Sequence, residues 1–467
     1  MFGGEQRARA RAAEDSRVRA VGRLASGKGI VASFSFGSGN VAKLVRSPVY
    51  AAGRLANLVI PRTEDEWVFG CGAGVGDGAL ALWNRVAADG HPAVWLTGSA
   101  REAADATELG IANVPRMSLR GFWRTARARV VVVTHGFGDA NRYGESGAFV
   151  VQLWHGIPLK RIGLDSAETL RSAVLPESRL LRRLLGVLYR RATHRIAVLP
   201  AASALVRGRL ESAFGLPDAR VPVTGEPRVD VLSAGTPAER RERARRVLAR
   251  AGLGDLGSSA GAAGRSSAAE AVRLVLYAPT WRDGDPDPAV PTPEQWRRLI
   301  DVLDERDAVL LVRSHPLGAG EYQPPFPTDR VRALGSALLP DATPVLPALT
   351  ALITDYSSMA FDASLVPLPV LFLAPDVAAY GRRRGFYGRY EDVAGDDYGR
   401  SWDDTTEQLD ALLSDPAVRD ARVSRSEALS RRVHRFRDGR NTERVYRAIL
   451  NGARLRGGRS QNGESVA

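Results

Sequence analysis

At 467 residues, 44% hydrophobic and 25% charged, the chain is long enough for two cores of ordinary domain size, and no apolar run reaches the roughly 18 residues that a membrane-spanning helix needs. Its 65 Lys+Arg against 52 Asp+Glu give a net charge of +13, nearly all from arginine, with lysine only at positions 28, 43 and 160. Such a surface suits phosphate-rich partners: nucleic acid, anionic lipid headgroups or a polyanionic polymer. The single cysteine, Cys71, excludes a disulfide framework and a cysteine-based metal site and fits a reducing compartment. The first residues (MFGGEQRARARAAEDSRVRA) carry the charges of a signal peptide without its apolar core, so membrane contact is expected to be peripheral.

Residues 1–45, basic and Gly/Ser-rich, read as a mobile or peripheral arm. Order is expected from near Pro48, where short apolar runs begin to alternate with helical stretches. In chain order these are Trp67 to Phe69, a helix over 78–88, Ala93 to Leu96, a helix over 101–108, a helix over 122–128, Val130 to Thr134 and Phe149 to Leu153. Continuous apolar strands alternating with helices predict a parallel, doubly wound sheet. Residues 178–195 place Leu180, Leu181, Leu184, Leu185 and Leu188 on one stripe, flanked by Arg182, Arg183, Arg190 and Arg191. Such a helix either lies in an anionic membrane surface, with Arg182, Arg183, Leu184, Leu188, Arg190 and Arg191 as contacts, or packs its stripe on the core.

Val221 to Thr224 is expected to close the first unit, and the same grammar restarts after it. A charged helix over 238–251, a low-complexity insertion at 252–271, strand Leu274 to Tyr277, a helix over 293–305, strand Val309 to Val312, strand Leu352 to Thr354, a helix over 358–365 and strand Val370 to Leu373 follow. The division expected is an arm (1–45), an acceptor-side Rossmann-like domain (46–230), a donor-binding Rossmann-like domain (231–437) and a terminal helix with a disordered tail (438–467).

In open parallel sheets the ligand lies beyond the C-terminal ends of the strands. One strand ends in Trp154-His155-Gly156-Ile157-Pro158, where a near-neutral histidine suits proton removal from a hydroxyl, or is simply satisfied by backbone at a turn. The next end, Thr280-Trp281-Arg282-Asp283, joins a hydroxyl, an aromatic face and a guanidinium that can bind phosphate and cover a base, or form a surface ion pair. Arg313-Ser314-His315-Pro316 sets a second histidine and arginine at an equivalent end. Asp355-Tyr356-Ser357-Ser358 leads into a helix containing Asp362, whose start favours a diphosphate, unless the serines serve only as helix caps. There is no phosphate loop, no nucleophilic serine elbow and no metal-ligand spacing among the histidines, and Gly70 to Gly76 is a weak dinucleotide-like pattern; no NAD, ATP or metal role is assigned.

In this order WHGIPLKRIG (154–163), TGEPRVD (224–230), LYAPTWRD (276–283), RSHP (313–316), LITDYSSMAFD (352–362), PVLFLAPDVAAYGRRRGFY (369–387) and FRDGRNTERV (436–445) resemble the CDP-glycerol glycerophosphotransferase family, the teichoic-acid primases and polymerases of bacterial walls. The resemblance implies a GT-B-like α/β architecture: two Rossmann-type domains whose parallel sheets face a central cleft. It implies His155 and His315 as the catalytic histidines, Trp154, Gly156 and Pro158 as part of the donor-binding site, and donor contacts from Arg228, Thr280, Trp281, Arg313, Ser357, Ser358 and Asp362. Glu226 stands where the family often has an apolar or aromatic residue.

The expected reaction moves glycerol phosphate from CDP-glycerol, or ribitol phosphate from CDP-ribitol, to a hydroxyl of a lipid-linked glycan or growing polymer, releasing CMP. It is placed on the cytoplasmic side of the cell membrane, peripherally bound to an anionic surface, without nucleic acid. Two rivals stand beside it: a GT-B glycosyltransferase using a nucleotide sugar, and a non-catalytic polyanion binder.

Overall fold

The computed structural model describes residues 47–62, 64–171, 175, 178–257, 272–282, 286–314 and 322–461. The expected arm (1–45), residues 258–271 of the insertion, Asp283 and His315 lie outside the described residues.

Two parallel sheets organise the chain. The first runs β3-β2-β1-β4-β5-β6, from β1 (Glu64–Phe69), β2 (Ala93–Thr97), β3 (Asn113–Pro115), β4 (Ala128–Val133), β5 (Phe149–Gln152) and β6 (Ile196–Val198). The second runs β11-β10-β7-β8-β9, from β7 (Arg273–Ala278), β8 (Ala308–Val312), β9 (Val331–Ala333), β10 (Ala351–Thr354) and β11 (Val370–Phe372). In both, the first strand lies inside and the order reverses beside it, the doubly wound arrangement that opens a crevice at the strand ends. The central strands β4 and β8 are apolar without alternation because helices cover both faces of each sheet. Ser and Thr caps start the covering helices, and Thr236 with Glu239, Thr292 with Gln295 and Ser401 with Asp404 form reciprocal capping boxes.

Four strands, β3, β6, β9 and β11, are three residues long; the apolar run at 370–373 announces β11, while β3, β6 and β9 carry too few residues for an alternating or continuous apolar pattern to do so. Two expected elements differ from those observed. Val221 to Thr224 is an extended linker in which Val223 alone bridges Ala201, because Pro222 has no N–H to give a ladder. The helix expected over 358–365 is Met359–Ala363, and Pro367 disfavours helical backbone just beyond its last turn.

One apolar cluster runs unbroken from the first sheet (Val131, Val150) through Ile157 and Leu159 to the second (Leu276, Leu352). Backbone hydrogen bonds stitch the loop after β5 to the segment after the helix Val377–Arg384: Arg161 N–H donates to the Gly385 carbonyl (3.0 Å) and Tyr387 N–H to the Leu159 carbonyl (2.9 Å). Arg209 donates to the carbonyls of Pro158 (2.9 Å) and Tyr387 (3.3 Å), and the Tyr387 hydroxyl donates to Asp165 (2.6 Å).

The last helix, Asn441–Gln461, returns to the first sheet, where Val445, Tyr446, Ile449 and Ala453 join Trp67 and Phe69 in one cluster. Its start is fastened by Asp230, whose carboxylate accepts from Asn441 N–H (2.9 Å), Thr442 N–H (2.7 Å) and the Thr442 hydroxyl (2.7 Å). A Cβ on Gly225 would lie 2.0 Å from Asn441 Oδ1, and its φ of +79° is also glycine's. Two sequence motifs more than 200 residues apart, GEPRVD and NTERV, are therefore one contact.

Ile449→Ala should lower unfolding stability by about 2–5 kcal/mol in denaturant titration, the range for truncating a buried aliphatic side chain. His434, whose Nε2 lies 3.0 Å from the Phe361 carbonyl, is pushed down by burial to about 4. Its ordinary value is near 6.5, so the folded state takes up this proton less readily than the unfolded chain. The stability it contributes is complete above that ordinary value and is lost as pH falls through 4, a decline of roughly 3 kcal/mol. His434→Gln should flatten that part of the stability profile between pH 7 and 4.

Candidate active site

The ends of β1, β4, β5, β7, β8 and β10 converge on the seam between the sheets. At the end of β5 the backbone takes two left-handed conformations, Trp154 at φ +63° and Gly156 at φ +128°. A non-glycine residue in that region is strained by about 1 kcal/mol or more, and such strain gathers at functional sites. A Cβ on Gly156 would meet Ser358 Oγ at 2.8 Å, so the glycine lets the loop after β5 touch the second sheet's serine turn.

His155 sits between these two residues, its ring 4.2 Å from that of Trp154. Its Nδ1 is buried without a hydrogen-bond partner. Burial, then the neighbouring His135 and Arg228, holds the imidazole well below the usual histidine range, against an opposing pull from the Thr134 carbonyl. At neutral pH the ring is a free base, the form that accepts a proton.

His135, at the end of β4, was not singled out from sequence. Its ring stacks on His155 at 4.4 Å and 7°. Asp139 shapes the turn that carries it, accepting from the backbone N–H groups of His135 (2.6 Å), Thr134 (3.1 Å) and Gly136 (3.3 Å). Its only signal in the sequence is a histidine following an apolar strand, the pattern shared by His155 and His315.

Arg228 spans the seam. Its Nε donates to Asp77 (3.1 Å), one terminal nitrogen to Asp362 (2.7 Å) and the other to the Thr343 hydroxyl (3.0 Å). Burial works against its charge, yet Asp362 and Asp77 hold the guanidinium well above the ordinary arginine value. Glu226 lies beside it, 2% exposed, with Oε2 lacking a partner. Burial pushes that carboxyl up to about 8, so at neutral pH it is largely protonated and adds little to the negative charge already paired with Arg228. Arg228 and Asp362, both expected at the donor, are thus bonded to each other.

The other expected donor residues divide similarly. Thr280 N–H donates to both oxygens of Asp355 (2.9 and 3.0 Å), while its own hydroxyl oxygen is buried without a partner. Trp281 is half-buried beside it. Arg313 donates to the carbonyls of Leu334 (3.2 Å), Leu339 (2.7 Å) and Pro340 (2.8 Å), shaping the loop after β9. Ser357 Oγ accepts from Met359 N–H (3.2 Å), the capping role weighed for it, whereas Ser358 makes no such bond and faces Gly156. Pro158 is buried, its carbonyl held by Arg209. Arg282, which sequence reasoning placed with phosphate binding, is 5% exposed and bonded to Asp355 (2.8 Å) and Asp376 (2.9 and 3.1 Å). Gly70 and Gly72 bring the loop after β1 against Asp139 and His135, leaving no room for Cβ atoms there.

The chain is similar to known proteins over most of its length. Residues 71–451 match the sequence model of the family described as CDP-Glycerol:Poly(glycerophosphate) glycerophosphotransferase. A teichoic acid glycerol-phosphate primase of Bacillus subtilis (strain 168) is 27% identical over 179 residues, 38% of this chain; the chain spans less than half of that relative, 44% of its length. A teichoic acid glycerol-phosphate transferase of Staphylococcus aureus (strain NCTC 8325 / PS 47) is 24% identical over 356 residues, 72% of this chain and 81% of that protein. The solved structure of the wall teichoic acid polymerase TagF superposes with a TM-score of 0.67 at 20% identity, over 89% of this chain and 96% of that one, and shares its GT-B-like fold. The chain belongs to the CDP-glycerol:poly(glycerophosphate) glycerophosphotransferase family of phosphotransferases.

Proposed function

We propose that this chain transfers glycerol phosphate from CDP-glycerol to a hydroxyl at the end of a growing polyol-phosphate chain or lipid-linked glycan, releasing CMP, in teichoic-acid or related envelope polymer synthesis. The observation that carries the proposal is His155, neutral at physiological pH, with an unpartnered ring nitrogen at the seam between the sheets. The names of the Bacillus and Staphylococcus relatives support glycerol as the polyol.

In this mechanism His155 takes the proton of the acceptor hydroxyl as its oxygen bonds to the donor's distal phosphorus. The bond from that phosphorus to the bridging oxygen breaks, and CMP leaves with the electron pair. The Thr280 hydroxyl and Ser358 hold the diphosphate, with Trp281 against the base, and the resemblance to the family assigns His315 a part in the same chemistry. Arg228 and Arg313 act one step back, the first by closing the seam and the second by shaping the loop after β9. Charge stabilisation at the leaving phosphate lowers the barrier because the donors are already oriented when charge develops.

The enzyme works at the inner face of the cell membrane, bound peripherally. Among the described residues no helix is long and apolar enough to cross a membrane. The helix Arg179–Thr193 turns Leu185 and Tyr189 inward and leaves Leu180, Leu184, Val187 and Leu188 exposed. Arg183, Arg190 and Arg191 are exposed on the same helix, and Arg182 is partly turned inward. The leucine stripe is therefore split: one edge packs on the core and the other supplies apolar contacts beside cations, the pattern that holds a helix in an anionic interface.

His155→Ala should lower CMP release from CDP-glycerol by ~10²-fold or more, as loss of a general base does, with parental thermal stability; normal turnover would remove His155 from the chemistry. Faster release from CDP-ribitol than from CDP-glycerol would reassign the polyol. Leu184→Glu with Leu188→Glu should abolish co-sedimentation with phosphatidylglycerol vesicles while leaving CDP-glycerol affinity intact, and undiminished vesicle binding would reject this membrane face.

A further inference from the structure

The stacked pair of histidines is not explained by a single general base. His135 lies face to face with His155 at 4.4 Å and 7°, a separation and angle at which neither ring can hydrogen-bond the other edge to edge. Its own position is determined from three sides. Its Nδ1 is 2.8 Å from the Thr134 hydroxyl, and that hydroxyl is 3.1 Å from Cys71 Sγ and 3.3 Å from Asp139 Oδ2. Asp139 grips the turn beneath it through three backbone N–H groups. The loop after β1 presses on its ring, since a Cβ on Gly72 would lie 2.9 Å from Cγ and 3.0 Å from Nδ1. The glycine pattern there has the clearance a fixed imidazole requires, and no phosphate contact is needed to account for it.

We propose that His135 is a positioning residue for His155: its ring is the slab on which the reactive imidazole rests, and its charge, when present, opposes protonation of that imidazole. This rests on the reading of His155 as the general base. The groups that set the balance are few. Arg228, from the turn at 227–229, and Lys160, from the loop after β5, add positive charge near His155, while the Thr134 carbonyl favours its protonation. His135 faces Asp139 from its own turn (4.0 Å) and Asp77 from the start of the helix Asp77–Ala88. A positive charge on His135 would lie against the stacked face of His155 and disfavour a second one there.

The test compares His135→Phe, which keeps a flat slab and removes the charge, with His135→Ala, which removes both. Histidine Cε1–H resonances of the full-length protein are followed by NMR from pH 8 down to the acid edge of the folded state, with His155→Ala assigning the His155 signal. Both variants should raise the His155 titration midpoint by about one pH unit, the size expected when one near neighbour of like charge is removed. CMP release from CDP-glycerol supplies a second readout: the acid limb of kcat should move up in both variants, while the alkaline plateau should fall about tenfold in His135→Ala alone. An unmoved His155 midpoint in both variants overturns the electrostatic role, and equal plateaus in the Phe and Ala variants overturn the slab. Parental turnover in His155→Ala would instead sink the general-base reading, and the titration result would stand by itself.

Discussion

The buried Arg228 guanidinium is bonded to both halves of this molecule. Arg228 takes one carboxylate from the helix that follows β1 and another from the helix that follows β10, with Thr343 completing its donors. A charge removed from water is tolerable only when paired and hydrogen-bonded, so neither sheet's contribution can be withdrawn without stranding the others. Removing one partner of such a pair typically costs about 3–5 kcal/mol, which makes the closed seam a cooperative feature. Glu226 fits the same constraint: a third carboxylate charge beside one arginine would be unfavourable, and the protonated carboxyl avoids it.

Around that hub, arginines do more structural work than their number suggests. Arg282 is consumed by Asp355 and Asp376 and lies under Tyr356 and Tyr380, at 4.8 and 5.2 Å from their ring centroids. Arg313 binds three carbonyls and Arg209 two. Among the described residues, the buried polar atoms near the seam without protein partners include His155 Nδ1, the Thr280 hydroxyl oxygen and Glu226 Oε2. A site whose charges are mostly committed to one another is pre-organised: its donors need not reorient as charge develops on a substrate. Left-handed backbone at Trp154 and Gly156 belongs to the same economy, since it aims the imidazole while letting Ser358 approach.

Much of this was legible from residues in order. Apolar runs marked the central strands because burial on both sheet faces removes any need for alternation, and the strand-end rule then pointed to His155, Thr280, Arg313 and Ser358. The reading was weaker where elements are three residues long, as in β3, β6 and β9, and where proline decides locally, as at Pro222 and Pro367. His135 escaped because a histidine after a strand has no signature of its own; only its stacking on His155 gives it meaning, and stacking is a relation between strands 20 residues apart.

Sequence by itself determined the fold class, the family and the position of the His155 loop at a strand end, since each follows from local periodicity or from motifs whose residues are contiguous. Tertiary structure alone decided which polar side chains face one another. Arg228 and Asp362 looked like two independent donor contacts and are bonded together across the seam; Ser357 and Ser358 looked equivalent and divide between a cap and a contact with Gly156; the leucines of the basic helix looked like one stripe and split between core and surface. Charge pairing, capping and burial depend on which atoms lie within a few ångströms, and that distance is set by the packing of two sheets against each other, which no local stretch of the chain encodes.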